Sequence, residues 1–229
     1  MTLLPPIIIT GCARSGTSMT AGVISLCGAF GGDMFGPNRY NKRGMFENRT
    51  VREGLVKPYL RSIDADPRGQ KPLPDMAKVW ANVKDPEFVK KWRDSIQCIF
   101  TSQGVTPTRP WFYKGAKACL FWPLWHCAFP EAQWIIVRRT DADIIKSCQR
   151  TAFMNAYQTA EGWQRWIDKH KACFQDMHKA GLRIHEVWPE KVIGGEAEIY
   201  YNMLDWLGLL PAERLIEDFV QPMLWGTKK

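Results

Sequence analysis

Residues 6–18 read Pro6-Ile7-Ile8-Ile9-Thr10-Gly11-Cys12-Ala13-Arg14-Ser15-Gly16-Thr17-Ser18. The apolar run over 6–10 has the length and β-branched content of a short buried strand, and Gly11 ends it. Small residues then turn the chain up to Gly16. Met19, Val23, Leu26 and Cys27 recur at helical spacing, and Gly28 suits a helix C-terminus. Strand, glycine-rich turn and helix together form an anion cradle: backbone N–H groups converge on the ligand and the helix dipole adds to them. The spacing Gly11-x-x-x-x-Gly16 is that of a nucleoside-triphosphate loop, but Thr17 stands where such a loop carries lysine. That lysine reaches the outer phosphates, so its absence argues against γ-phosphoryl transfer. Arg14 supplies positive charge from within the turn, which suits a smaller terminal anionic group.

Outward from this loop the pattern alternates. The spacing predicts further strands over 111–113, 134–137 and 182–187. It predicts helices over 47–61, 86–102, 119–129, from Thr140 onward with Asp143 as a capping partner, over 159–180 and over 189–207. Residues 30–46 and 63–75 read as irregular segments, too long for simple connections and therefore functional or mobile. The expected fold is α/β: a single domain over residues 1–229, with a central parallel β-sheet flanked by helices.

Composition narrows the function. The 229 residues are 45% hydrophobic and 24% charged, an ordinary globular balance that excludes disordered and fibrous chains. No apolar run reaches the roughly 20 residues a membrane span needs. No signal-peptide pattern is read at the start. Seven scattered cysteines form no C-x-x-C pair, so neither a metal site nor a disulfide framework is expected, and a cytoplasmic location is. The formal net charge of +8 suits an anionic ligand, a nucleic acid or an acidic substrate without choosing among them.

The segment Gly11-Cys12-Ala13-Arg14-Ser15-Gly16-Thr17-Ser18 resembles the 5′-phosphosulfate loop of sulfotransferases, often GxPRSGT[ST]. These enzymes use 3′-phosphoadenosine 5′-phosphosulfate as donor and release adenosine 3′,5′-bisphosphate. The family's second signature is an arginine at a strand end and a serine eight residues on, both on the donor's 3′-phosphate. Arg139 and Ser147 match it. A strand-end arginine also faces the crevice where α/β sheets bind ligands, and its fork suits phosphate. Residues 41–48 (NKRGMFEN) are similar to the NPKGFFE segment of compact bacterial and phage members. Residues 112–117 are similar to their strand ending in lysine, and 188–209 to their C-terminal stretch. The resemblance covers most of residues 5–210 and implies the P-loop-like sulfotransferase fold. Ala13 replaces the usual proline, no histidine stands two residues after Lys114, and no C-terminal Arg-Lys-Gly motif is present.

The roles follow from sulfuryl transfer, which needs in-line positioning, cations at the leaving oxygen and a base at the acceptor. Arg14 and Lys114 are expected to serve the leaving group. Gly11, Cys12, Ala13, Arg14, Ser15, Gly16, Thr17 and Ser18 would hold the 5′ end of the donor, and Arg139 with Ser147 its 3′-phosphate. Glu47, read at a helix start among cations, is the expected base, with His126, His170, His178 and His185 as alternatives. Lys117 is open between sulfate contact and solvation. Two other functions compete. One is a small-molecule or nucleotide kinase with a degenerate phosphate loop; the other is a nucleic-acid binder, against which no basic-aromatic signature appears. The expected partner is a small-molecule or carbohydrate acceptor rather than nucleic acid. The irregular segments 30–46 and 63–84 are expected to set the choice of acceptor. The sequence gives neither the acceptor's identity nor an oligomeric state.

Overall fold

A computed structural model describes residues 3–224. Four strands form one parallel sheet: β1 (Ile7–Gly11), β2 (Phe112–Lys114), β3 (Gln133–Val137) and β4 (Arg183–Val187), in the order β2-β1-β3-β4. β1 lies between β2 and β3, with Ile9 opposite Lys114 on one side and Gly11 opposite Val137 on the other. Each strand begins within one residue of where the apolar pattern placed it. A parallel sheet buries both faces, so its central strands read as unbroken apolar runs.

The pleat divides those runs between two cores. Ile8, Tyr113, Trp134 and Ile136 point to one face, Ile7, Ile9, Phe112, Ile135 and Val137 to the other. On the sequence the helical elements are α1 (Thr17–Leu26), α2 (Arg49–Val51), α3 (Lys57–Ser62), α4 (Met76–Val83) and α5 (Pro86–Ser102). They continue with α6 (Trp122–Ala128), α7 (Asp141–Gln149), α8 (Ala160–Lys179), α9 (Pro189–Ile193), α10 (Glu198–Leu207) and α11 (Glu213–Phe219). α5, α6 and α8 cover the first face; α1, α10 and α11 cover the second.

Several helical expectations are corrected. The helix over 47–61 starts later: Asn48 is the N-cap, its side-chain oxygen accepting from the Val51 amide at 3.1 Å, so Glu47 precedes the helix. Between α2 and α3 the chain widens into a π turn, Arg52–Val56. Pro58 has no amide hydrogen to give the Gly54 carbonyl, and the wider turn precedes it. The helix over 189–207 is broken at Gly194-Gly195, where Gly195 has φ 111°. The 119–129 helix begins as a 3₁₀ turn, Ala116–Phe121. Within the stretch read as irregular lies α4, capped by Asp75, whose carboxylate accepts from the Ala77 amide. Thr140 does occupy the N-cap of α7, but its hydroxyl donates to the Asp143 carboxylate at 3.0 Å instead of capping an amide.

The topology fixes where a ligand sits. From β1 the chain crosses to β2 on one side, and from β3 it crosses to β4 on the other. The crevice beyond the carboxyl ends of β1 and β3 is therefore the switch point, the place where open parallel sheets bind ligands.

Candidate active site

The turn after β1 occupies that crevice. Gly11 has φ 153°, and a β-carbon there would lie 2.5 Å from the Val137 carbonyl oxygen and 2.9 Å from Ser15 Oγ, so only glycine fits. Arg14 sits at φ 74°, a left-handed conformation costly for a residue with a side chain. Gly16 at φ 101° is the N-cap of α1 and offers no side chain to the first amides of the helix. Ser15 Oγ is buried without a hydrogen-bond partner among the described residues. The turn is thus strained, rich in donors and short of acceptors, which is the chemistry of an anion cradle.

Arg139 follows β3 by two residues and is 8% exposed. Its Nη1 donates to the Arg14 carbonyl at 3.0 Å. Arg14 Nε in turn donates to Ser147 Oγ on α7 at 3.0 Å. The two motifs, 125 residues apart in the chain, therefore meet through Arg14. The Asp143 and Glu190 carboxylates lie 4.0 Å from Arg139 Nε. Burial lowers the pKa of both arginines; for Arg139 the two carboxylates oppose that shift.

Lys114 ends β2 on the other side of β1, fixed by the Gly115 amide donating to the Ile9 carbonyl. Its Nζ meets Glu47 Oε1 at 2.9 Å, and Arg52 Nε lies 2.7 Å from Oε2. Glu47 is 5% and Lys114 4% exposed. Burial raises the Glu47 carboxyl pKa, but Lys114, Lys117 and Arg52 outweigh it and bring it down to about 2. Thr10 Oγ1 donates to the Ala116 carbonyl and accepts from the Cys119 amide, pinning the 3₁₀ turn that carries Lys117. Lys117 is 7% exposed, and its pKa is lowered to about 8, chiefly by burial.

These groups share one cavity of about 600 Å³. Its walls include Ala13, Arg14, Gly16, Thr17 and Ser18 from the turn, Arg139 after β3, and Lys114 and Lys117 after β2. Glu47 and Arg52 line it too. Gly11, Cys12 and Ser15 are buried, and the half-buried Ser147 accepts from Arg14 without itself lining the cavity. Cys12 packs with Ile144, Cys148 and Trp163, and burial pushes its thiol well up, out of the reactive range. Of the four histidines only His170 lines the cavity. Its Nδ1 lies 2.8 Å from the Trp166 carbonyl oxygen, an acceptor, so the proton is on Nδ1 and Nε2 is the nitrogen left for a ligand. Burial lowers its pKa to about 4.

Sequence reading missed Arg52, the second cation on Glu47. The sequence carries its signal, an arginine five residues after a glutamate, but the π turn decides which way it points. Phe153, Met154, Trp166 and Arg68 also line the cavity without a sequence signal. Among the described residues no group of three or more His, Cys, Asp or Glu could hold a metal ion, and no helix is long and apolar enough to cross a membrane.

No family model and no curated protein matches the sequence. Solved structures do match the fold. The sulfotransferase domain of the Synechococcus olefin synthase aligns with a TM-score of 0.58 at 15% identity, over 100% of this chain and 89% of that one. The sulfotransferase domain from the curacin biosynthetic pathway aligns with a TM-score of 0.58 at 15% identity, over 96% and 79% of the two chains. A Mycobacterium tuberculosis sulfotransferase gives a TM-score of 0.50 at 14% identity, over 99% and 74%. The chain has the sulfotransferase fold, a P-loop-like α/β domain.

Proposed function

We propose that the protein transfers a sulfuryl group from 3′-phosphoadenosine 5′-phosphosulfate to a hydroxyl or amine acceptor. The observation that carries this reading is the junction of Arg139 and Arg14, with Ser147 bonded to Arg14, in a cavity that the two arginines line together with Lys114 and Glu47. A donor charged at both ends needs two anion sites joined across one crevice. The 5′ end would lie against the turn, where Ser15 Oγ has no hydrogen-bond partner among the described residues and no side chain caps the first amides of α1. The 3′-phosphate would lie against Arg139 and Ser147. The residues present fit such a donor, and no lysine follows Gly16 to serve a γ-phosphate.

In the reaction the acceptor oxygen forms a bond to sulfur as the bridging S–O bond to the 5′-phosphate breaks. The electron pair leaves with the phosphate oxygen, where Lys114 and Arg14 offset the new charge. The acceptor proton passes to Glu47. A carboxylate at about 2 is ionised at every working pH but is a weak base. A loose transition state, by analogy with phosphoryl transfer, asks little of the nucleophile, so late proton transfer to a weak base suffices.

The nucleotide specificity is testable by thermal unfolding. Adenosine 3′,5′-bisphosphate at 100 times its Kd stabilises by about 2.7 kcal/mol. For a chain of this size that raises Tm by roughly 5–10 °C. Strong stabilisation by ATP and Mg²⁺ with none by the bisphosphate would hand the site to the kinase reading.

Arg139→Ala removes a buried guanidinium from the 3′-phosphate. Charge-assisted hydrogen bonds contribute about 1.5–3 kcal/mol, so bisphosphate affinity falls roughly 10–150-fold. Calorimetric titration reads this directly, and an unchanged Kd removes Arg139 from the donor site.

A further inference from the structure

Among the described residues, the cavity walls carry ten lysine and arginine side chains against a single carboxylate, Glu47. Five have work already. Arg14 and Arg139 form the clamp, Lys114 and Arg52 hold Glu47, and Lys57 lies 2.7 Å from Glu53. The remaining five are Arg39, Lys42, Arg43, Arg68 and Lys117. None of them has a carboxylate within ion-pair distance among the described residues. Arg43 donates to the Asp218 backbone carbonyl, and Arg39 lies over the Tyr40 ring at 4.7 Å.

Two features separate this group from an ordinary solvated surface. Lys117 is inside, where burial disfavours its charge and salt screens it little. The exposed cations sit on backbone that is held in place. Asn38 and Asn41 exchange backbone hydrogen bonds at 3.0 and 3.2 Å, and Tyr40 meets Phe153 edge to face at 4.9 Å. Beside Arg68, the Gly69 carbonyl accepts from Trp166 Nε1 at 2.9 Å. Arg39 and Arg68 thus come from two different loops fixed at one mouth. Like charges gathered this way repel, and a bound anion relieves them.

The donor's phosphates are met by the turn, Arg14, Arg139 and Lys114, so this second group of cations is in excess of the donor's needs. We propose that the acceptor is itself an anion: a small hydroxyl compound bearing a phosphate or sulfate ester, which Arg39, Arg68 and Lys117 hold while its hydroxyl faces Lys114 and Glu47. The inference rests on the sulfuryl-transfer reading and names its acceptor class. Planar guanidinium forks match the tetrahedral oxygens of either ester.

The test uses the full chain saturated with adenosine 3′,5′-bisphosphate. Glucose 6-phosphate, glucose 6-sulfate and glucose are titrated in turn, in low and high salt, with Arg39→Ala/Arg68→Ala as the comparison. The expected result is at least about tenfold tighter binding of one or both esters than of glucose, weakening with salt. The double variant loses that preference and keeps its bisphosphate affinity. The phosphate and sulfate arms show which ester fits. Three results overturn the proposal: no preference for the esters; a preference the double variant retains, which places the ester beside the 5′-phosphate; or a proportional loss of bisphosphate affinity, which gives these cations to the donor. Failure of the wild-type chain to bind the bisphosphate at all is a separate result and removes the sulfuryl-transfer reading as well.

Discussion

Lys114→Ala is expected to lower kcat by about 10²–10³-fold while leaving bisphosphate affinity within a few-fold of wild type. The asymmetry comes from where charge develops. In the bound donor the bridging oxygen is shared between sulfur and phosphorus. In the transition state it takes up the electron pair of the breaking bond. A cation at that oxygen is worth more in the transition state than in the ground state, so its loss appears in kcat. The proposed role rests on position: Lys114 is opposite Ile9, which precedes Gly11 by two residues, and is held by Glu47 at 2.9 Å. The variant should remain folded, because Glu47 keeps Arg52 at 2.7 Å and Lys117 nearby. Single-turnover rates at saturating donor, measured beside the bisphosphate Kd, decide the matter. A weakened Kd with unchanged kcat would make Lys114 a ground-state binding group only.

The sheet was legible because parallel strands bury both faces and so announce themselves as apolar runs. Ile7-Ile8-Ile9 and Trp134-Ile135-Ile136-Val137 could hardly be anything else. The turn after β1 was legible because its backbone demands glycine at fixed places, which writes conformation into the sequence. That Arg139 and Ser147 lie near each other was readable as a spacing; that each bonds Arg14 was not, because a left-handed arginine leaves no mark in sequence. α4 and α11 were missed since each is short, and helices of seven or eight residues depend on packing more than on propensity. The break at Gly194-Gly195 had a plain signal that the apolar periodicity on either side masked. The meeting of the 38–45 loop, Arg68 and Lys117 at one mouth is a tertiary fact with no local trace.

Glu47 carries the largest combined effect, and Glu47→Gln separates its two roles. As the proposed proton acceptor it would contribute about 10²–10⁴-fold to turnover, and its low pKa places the expected effect toward the lower end. As counterion it offsets Lys114 and Arg52 in a buried place, and breaking a buried pair costs about 3–5 kcal/mol. The isosteric amide keeps one acceptor oxygen, so a Tm fall of roughly 6–12 °C is expected for a chain of this size. The pH dependence identifies the cause. The carboxyl is ordinarily near 4.5 and is held at about 2 in the fold. Between those values the unfolded chain binds the extra proton, so wild-type stability from this group is complete above pH 4.5 and is lost as pH falls toward 2, by on the order of 3 kcal/mol. The glutamine variant lacks that acid limb. At the alkaline end Lys117 adds a second rising limb: its pKa is about 8 in the fold against an ordinary 10.5, so the unfolded chain again binds the extra proton and stability rises with pH between those values. Because Glu47 is the group that raises Lys117, its removal starts that rise at lower pH. Urea unfolding of both chains across pH shows both limbs. His170→Gln, which alters the other cavity-facing base, is the activity control: loss of turnover in that variant, with turnover retained in Glu47→Gln, moves proton transfer to His170 and leaves Glu47 a positioning residue for Lys114.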